Sequence, residues 1–113
     1  MNIINADFIL KELHSIVDEK QAIHLQRFFK TGKGQYGEGD SFLGITVPLI
    51  RNIVKTNKLL PLEEIEILLD SEYHEARMAG FLFLVQQFKK AKEEDEQKVI
   101  IDFYISNARK ANN

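Results

Sequence analysis

The 113-residue chain has no cysteine and no tryptophan, and it carries only two prolines and six glycines. Without a thiol it can form no disulfide, no thiolate metal site and no cysteine nucleophile, and a reducing cytoplasm is the natural setting. Apolar residues nowhere run long enough to span a bilayer, and MNIINADFILKELHSIV lacks the basic stretch and pure apolar run of a secretory leader. The chain is therefore read as neither secreted nor membrane-bound. Net charge is also small: 15 Lys and Arg against 17 Asp and Glu leave −2, which argues against a protein that coats nucleic acid indiscriminately. What is present, 44% hydrophobic and 28% charged residues, suits one globular domain. A domain of this length buries roughly two thirds of its unfolded surface.

The small net charge hides a division along the chain. From Lys20 to Lys58 there are seven basic residues, Lys20, Arg27, Lys30, Lys33, Arg51, Lys55 and Lys58, against Glu38 and Asp40, a formal +5. Glu63, Glu64, Glu66, Asp70, Glu72 and Glu75 then follow before Arg77 restores a positive charge. Either these are ordinary solvated helix faces, or one face of the molecule is basic and another acidic.

Apolar residues recur at helical spacing and nowhere alternate with polar ones long enough for a half-buried strand, so the chain reads as all-α with about six helices. The spacing predicts a first helix over about Asp7 to Asp18, burying Ile9, Leu13, Ile16 and Val17, with Asn5 or Asp7 placed to cap it. A second covers about Lys20 to Lys30. A third starts at Thr46 as N-cap, with Pro48 in the first turn where its missing N–H costs nothing, and ends near Asn57. Pro61 opens a short fourth helix with acidic residues near the positive end of its dipole. Ser71 is placed to cap a fifth over about Glu72 to Lys90; its FLFLV run continues a helical phase too long for a strand and predicts a helix buried on most sides. After the connector KKAKEEDEQK, a sixth turns Val99, Ile100, Phe103 and Tyr104 inward. Such helices pair as three antiparallel hairpins, the unit of a solenoid or of a compact bundle. No Gly or Pro closes the sixth, whose outer apolar face would stand bare, so residues 1–113 are expected to be one domain that forms part of a longer chain.

Five of the six glycines lie in GKGQYGEGDSFLG, residues 32 to 44, where Gly32, Gly34 and Gly37 spell G-x-G-x-x-G. A dinucleotide fingerprint needs a strand before the glycines and an acidic residue about 20 positions on; here a helix precedes them, and no acid occurs between Asp40 and Glu63. Gly34 after Lys33 also excludes a Walker A loop. The alternative is a helix connection whose glycines supply positive φ angles, pinned by Tyr36, Phe42 and Leu43 and braced by Glu38 and Asp40. His74 and Glu75 open HEARM, a fragment of the zinc motif H-E-x-x-H in which Met78 stands at the second histidine position, so a helix-start histidine making a polar contact is preferred to a metal ligand. No convincing catalytic centre emerges. An anion-binding surface does: the start of the third helix near Thr46, with Arg51 and Lys55 one and two turns on and Lys33 in the neighbouring loop.

Three blocks carry a resemblance. YGEGDSFLGITVPLIRNIVK (36 to 55) is similar to the family signature Y-F-G-E-G-D-x-F-L-G-I-x-x-P-x-x-R of the bacterial DNA alkylation repair family, the helical-repeat alkylpurine DNA glycosylases. HEARMAGFLFLVQQFKK (74 to 90) resembles its second block, an H-E-x-R-x-x-A opening into a long apolar helix. DFYISNARKANN (102 to 113) resembles its third, in which an asparagine pair leads into W-D-x-x-D. The resemblance implies a right-handed solenoid segment of HEAT-like hairpins with a basic concave face for duplex DNA. It also implies a cofactor-free, metal-free, monofunctional glycosylase acting on cationic N3- or N7-alkylated purines.

In the family a carboxylate flanked by tryptophans supports the oxocarbenium sugar. The resemblance puts that aspartate and the first tryptophan just after Asn113, so residues 1–113 are expected to lack activity and hold no catalytic residue. By position Thr46 falls where some members carry a polar group facing the lesion, Phe28 or Phe29 near an aromatic of that face, and Arg51 on the signature arginine. The candidate DNA-contacting set is Phe28, Phe29, Lys33, Tyr36, Thr46, Arg51 and Lys55, and the candidate loop-bracing set is Gly37, Glu38, Gly39, Asp40, Phe42 and Gly44. The alternative is a non-catalytic helical-repeat module that recognises DNA structure or a protein. Dimerisation through exposed C-terminal helices is a further expectation.

Overall fold

A computed structural model describes residues 4–28, 41–57 and 60–108, without the side chains of Gln26 and Phe28. Among these residues the fold is all-α: α1 (Ala6–His14), α2 (Glu19–Phe28), α3 (Val47–Thr56), α4 (Leu62–Leu69), α5 (His74–Lys90) and α6 (Glu94–Asn107). The one departure from helix and loop is an isolated parallel bridge between Ser41 and Tyr73.

Helix α5 is the spine, and α1, α3, α4 and α6 all rest on it. Its small residues explain how α4 comes so close: Ala76, Ala79 and Gly80 are buried, and a Cβ on Gly80 would lie 2.8 Å from Leu69 Cδ2. Phe83 and Leu84 are buried, Phe81 and Leu82 are half-buried and Val85 is exposed, so FLFLV is a helix with most of its circumference covered. Around it the core gathers Ile9 and Leu13 of α1, Ile50, Ile53 and Val54 of α3, and Ile65, Leu68 and Leu69 of α4.

Polar ties fix how these helices meet. Glu64 of α4 accepts the Ala6 N–H at 2.9 Å, so a carboxylate from a neighbouring helix meets the positive end of α1. Buried Asn57 donates to Glu12 Oε1 and to the Ile53 carbonyl, both at 2.8 Å, which closes α3 against α1. No buried side-chain nitrogen or oxygen among the described residues lacks a partner.

Several boundaries differ from those the periodicity predicts. Helix α1 stops at His14, not Asp18, because Asp18 serves the next helix: its side chain accepts the Gln21 N–H at 3.1 Å as an N-cap. Ile16 and Val17 are consequently exposed rather than on a buried stripe. Of the two cap candidates for α1, Asn5 does the work, accepting the Phe8 N–H at 2.9 Å. Helix α5 starts at His74, not Glu72, because Tyr73 is held in the bridge to Ser41; Ser71 accepts the Tyr73 N–H in a local turn instead of capping. Helix α6 starts inside the charged connector, where Glu94, Asp95 and Glu96 fill its first turn. Of the four residues predicted to face inward there, Ile100 and Phe103 are half-buried, while Val99 and Tyr104 are exposed.

Candidate functional site

The extended segment Ser41–Thr46 leads into α3, and its position is dictated by one side chain. Glu75, in the first turn of α5, is 1% exposed. Its Oε1 accepts the Leu43 N–H at 2.9 Å, and its Oε2 accepts those of Gly44 at 2.9 Å and Ile45 at 3.2 Å. A buried carboxylate is tolerable only when donors replace its water, and three successive backbone N–H groups near a helix N-terminus do so. The same segment is fastened on its other side, where the Leu43 carbonyl accepts the Asp18 N–H at 3.1 Å. Gly44 lies at φ 81°, and a Cβ there would overlap the Asp18 carbonyl oxygen and stand 2.6 Å from the Ala22 nitrogen. Segment 41–46 thus runs through a seam between the starts of α2 and α5.

Phe42 is buried, its ring tilted 31° against that of His74 with centroids 4.8 Å apart. The His74 N–H donates to the Ser41 carbonyl at 2.8 Å. Thr46 is the N-cap residue of α3 in extended conformation, exposed, and its hydroxyl makes no capping bond. It borders a hollow of about 260 Å³ that Leu25, Phe42, His74 and Met78 also wall.

A larger groove, about 630 Å³, runs between α3 and α5. Arg51 and Lys55, one turn apart on α3, stand on one side; Lys89 and Lys90, at the end of α5, stand on the other. Val54, Leu82, Val85 and Gln86 supply the rest of the lining. Gln86 Nε2 donates to the Val54 carbonyl at 3.3 Å and so joins the two helices. Among the described residues no acidic side chain lines the groove, all four cations are exposed, and none forms an ion pair with a described residue. Such a concentration of unneutralised positive charge attracts polyanions even where the net charge is negative.

Of the sequence-predicted residues, Arg51 and Lys55 come together in this groove, whereas Thr46 opens the same helix but borders the smaller hollow. Phe42 and Gly44 lie in the clamped segment. Phe29, Lys33, Tyr36, Gly37, Glu38, Gly39 and Asp40 lie outside the described residues, as does the side chain of Phe28 at the end of α2. Sequence reasoning missed Lys89, Lys90 and Gln86, although Leu82, Val85, Gln86 and Lys89 recur at helical spacing and so share a face. It also missed the role of Glu75, which the sequence shows as one of a run of acids, as part of an incomplete zinc motif and in the second family block. Among the described residues, no three His, Asp or Glu side chains are grouped to hold a metal ion, and no helix is long and apolar enough to cross a membrane.

Comparison with known proteins gives one finding. A family model described as DNA alkylation repair enzyme matches residues 9–113. No curated protein and no solved structure matches the chain.

Proposed function

The chain belongs to the DNA alkylation repair enzyme family, and on that footing we propose that its α3–α5 groove holds the sugar–phosphate backbone of duplex DNA containing alkylated purines. The observation that carries this reading is the groove itself: Arg51 and Lys55 face Lys89 and Lys90 across an open channel with no acid among the described residues of its lining. Arginine and lysine neutralise phosphates without reading bases, so the groove serves to position a duplex. The reaction proposed for the family role is hydrolytic release of a purine alkylated at N3 or N7. Such a base already carries a positive charge and leaves readily, so the protein must stabilise the developing sugar cation and supply a water. Residues 1–113 are assigned the holding part of that task and no catalytic residue; the aspartate and tryptophans that the resemblance implies are assigned to positions after Asn113, in a HEAT-like solenoid of which this span is the N-terminal part.

Salt-dependent binding to duplex DNA tests the groove. Each phosphate contact contributes about 0.9 to the slope of log K against log salt, so Arg51→Ala should lower the slope by about one and weaken binding to all sequences alike. Unchanged affinity and slope would remove Arg51 from the interface. Incubating alkylated DNA with the 113-residue chain should release no methylpurine above background, and release would overturn the assignment of catalysis elsewhere. The second reading, a binding module without catalysis, shares the groove and its salt dependence. It separates from the first when a longer chain carrying the W-D-x-x-D block is assayed for excision.

The same proposal extends to self-association. Helices α5 and α6 enclose an apolar hollow of about 340 Å³ lined by Leu84, Val85, Phe88, Ile100, Ile101 and Tyr104, with Lys89 at its rim. Ile101 and Ile105 stand exposed on the adjoining surface of α6. One patch that offers both a hollow and a ridge meets the requirement of a two-fold interface, in which each copy presents the same surface.

A further inference from the structure

The groove has two walls on two different helices, and its width depends on how those helices are held. Helix α5 carries Glu75 in its first turn and Lys89 and Lys90 in its last. Helix α3 carries Arg51 and Lys55, and only its N-cap Thr46 separates its start from the three residues whose N–H groups Glu75 accepts. The Glu75 carboxylate therefore fastens the start of α3 to the start of α5. Within the groove a second tie, Gln86 Nε2 to the Val54 carbonyl, joins the same two helices. All four cations stand on the two helices that this pair of ties joins. We propose that Glu75 is a positioning residue for DNA binding: it sets the separation of the Arg51–Lys55 wall from the Lys89–Lys90 wall so that both walls reach phosphates of one duplex.

The chemistry favours a carboxylate over any other side chain at this position. Three consecutive N–H groups point at one site, and only a group with two acceptor oxygens and no donor satisfies all three. A glutamine of the same shape turns an NH₂ toward at least one backbone N–H, donor against donor, and leaves it buried without a partner. The extended segment then moves away from α5, and it carries the start of α3 with it. Glu75 touches no DNA in this scheme; its effect passes through Arg51 and Lys55.

This inference rests on the groove reading above, and its test separates the two. Arg51→Ala, Lys89→Ala, Glu75→Gln and the double variant Arg51→Ala/Glu75→Gln are compared in duplex-DNA binding over a range of salt. Circular dichroism and cooperative unfolding report that each is folded. Glu75→Gln is expected to keep its helical signal, to move the amide resonances of Leu43, Gly44 and Ile45, and to weaken binding about tenfold. Its salt slope should fall by about one to two, since the α3 wall no longer engages. Arg51→Ala should then add little in the Glu75→Gln background, because the contact it removes is already lost.

A purely structural carboxylate gives a different pattern. The folded Glu75→Gln protein would then keep its salt slope, and the two losses would add in full; either result overturns the proposal. If Arg51→Ala and Lys89→Ala alone leave affinity and slope untouched, the groove reading itself fails, whatever Glu75→Gln does. Should Glu75→Gln not fold, Glu75→Asp is read by the same criteria: it keeps the charge but reaches one methylene less far. An intermediate loss of slope supports the positioning role, and an unchanged slope overturns it.

Discussion

At Gly44 two demands coincide that no other residue type meets. The backbone sits at φ 81°, and the space a Cβ would occupy is already filled by backbone atoms of Asp18 and Ala22. Backbone cannot rotate aside as a side chain can, so Gly44→Ala must displace the start of α2 or pull segment 41–46 off Glu75. The left-handed conformation alone costs a side-chain-bearing residue on the order of 1–3 kcal/mol, and the overlap adds to it. We expect a loss of ~3 kcal/mol or more in chemical denaturation. Gly80 provides the contrast. Its nearest neighbour is the Leu69 side chain, which can shift, and its helical backbone has no positive φ. Alanine there gains about 1 kcal/mol of helix propensity to offset the crowding, so Gly80→Ala should cost clearly less than Gly44→Ala. Equal losses for the two would show that the seam between the starts of α2 and α5 is not as tight as the geometry indicates.

At the level of the helices, the groove depends on which end of α5 faces which end of α3, and the two walls make distinct predictions. Lys89→Ala should lower the salt slope of DNA binding by about one, as Arg51→Ala should, and the pair together by about two, because on opposite walls of the proposed groove they would meet separate phosphates. A Lys89→Ala protein with the parental slope would leave the groove with a single active wall. The α3 wall was legible in the sequence, since Arg51 and Lys55 lie one turn apart on a helix that Thr46, Pro48 and Asn57 delimit. The α5 wall was not. Lys89 and Lys90 at a helix C-terminus look the same whether they complement the dipole or face a ligand, and only the approach of α3 distinguishes the two.

Helix existence likewise followed from periodicity, because apolar stripes depend on local geometry alone. The ends did not, because tertiary partners claimed them: Asp18 left α1 to cap α2, and Tyr73 left α5 to pair with Ser41. Glu75 escaped for a related reason. A glutamate at the start of a helix is ordinary, and its three donors lie 30 to 32 residues away along the chain.

For the molecule as a whole, charge segregation reconciles a net charge of −2 with a polyanionic partner. Exposed acids gather on α4 and its C-cap, at Glu63, Glu66 and Asp70, and in the first turn of α6, while the α3–α5 groove keeps four cations with no acid among the described residues of its lining. Binding should nevertheless fall with salt, since the counterions released at phosphate contacts set the slope, although screening of the repulsion from the acidic surfaces works against the fall. The apolar surface of α5 and α6 belongs to a different balance. Ile101 is 43% exposed and Ile105 66% exposed beside a hollow with almost no polar lining, an apolar surface that self-association would cover. Two copies meeting across it should associate reversibly, with a weight-average mass in sedimentation equilibrium that rises toward the dimer as concentration increases. The double variant Ile101→Lys/Ile105→Glu puts charge on the ridge that each copy inserts and should stay monomeric. Because among the described residues the hollow and the groove share only Val85 and Lys89, that variant should keep the parental salt slope for DNA. A parental chain that stays monomeric at every soluble concentration would rule out self-association through this face.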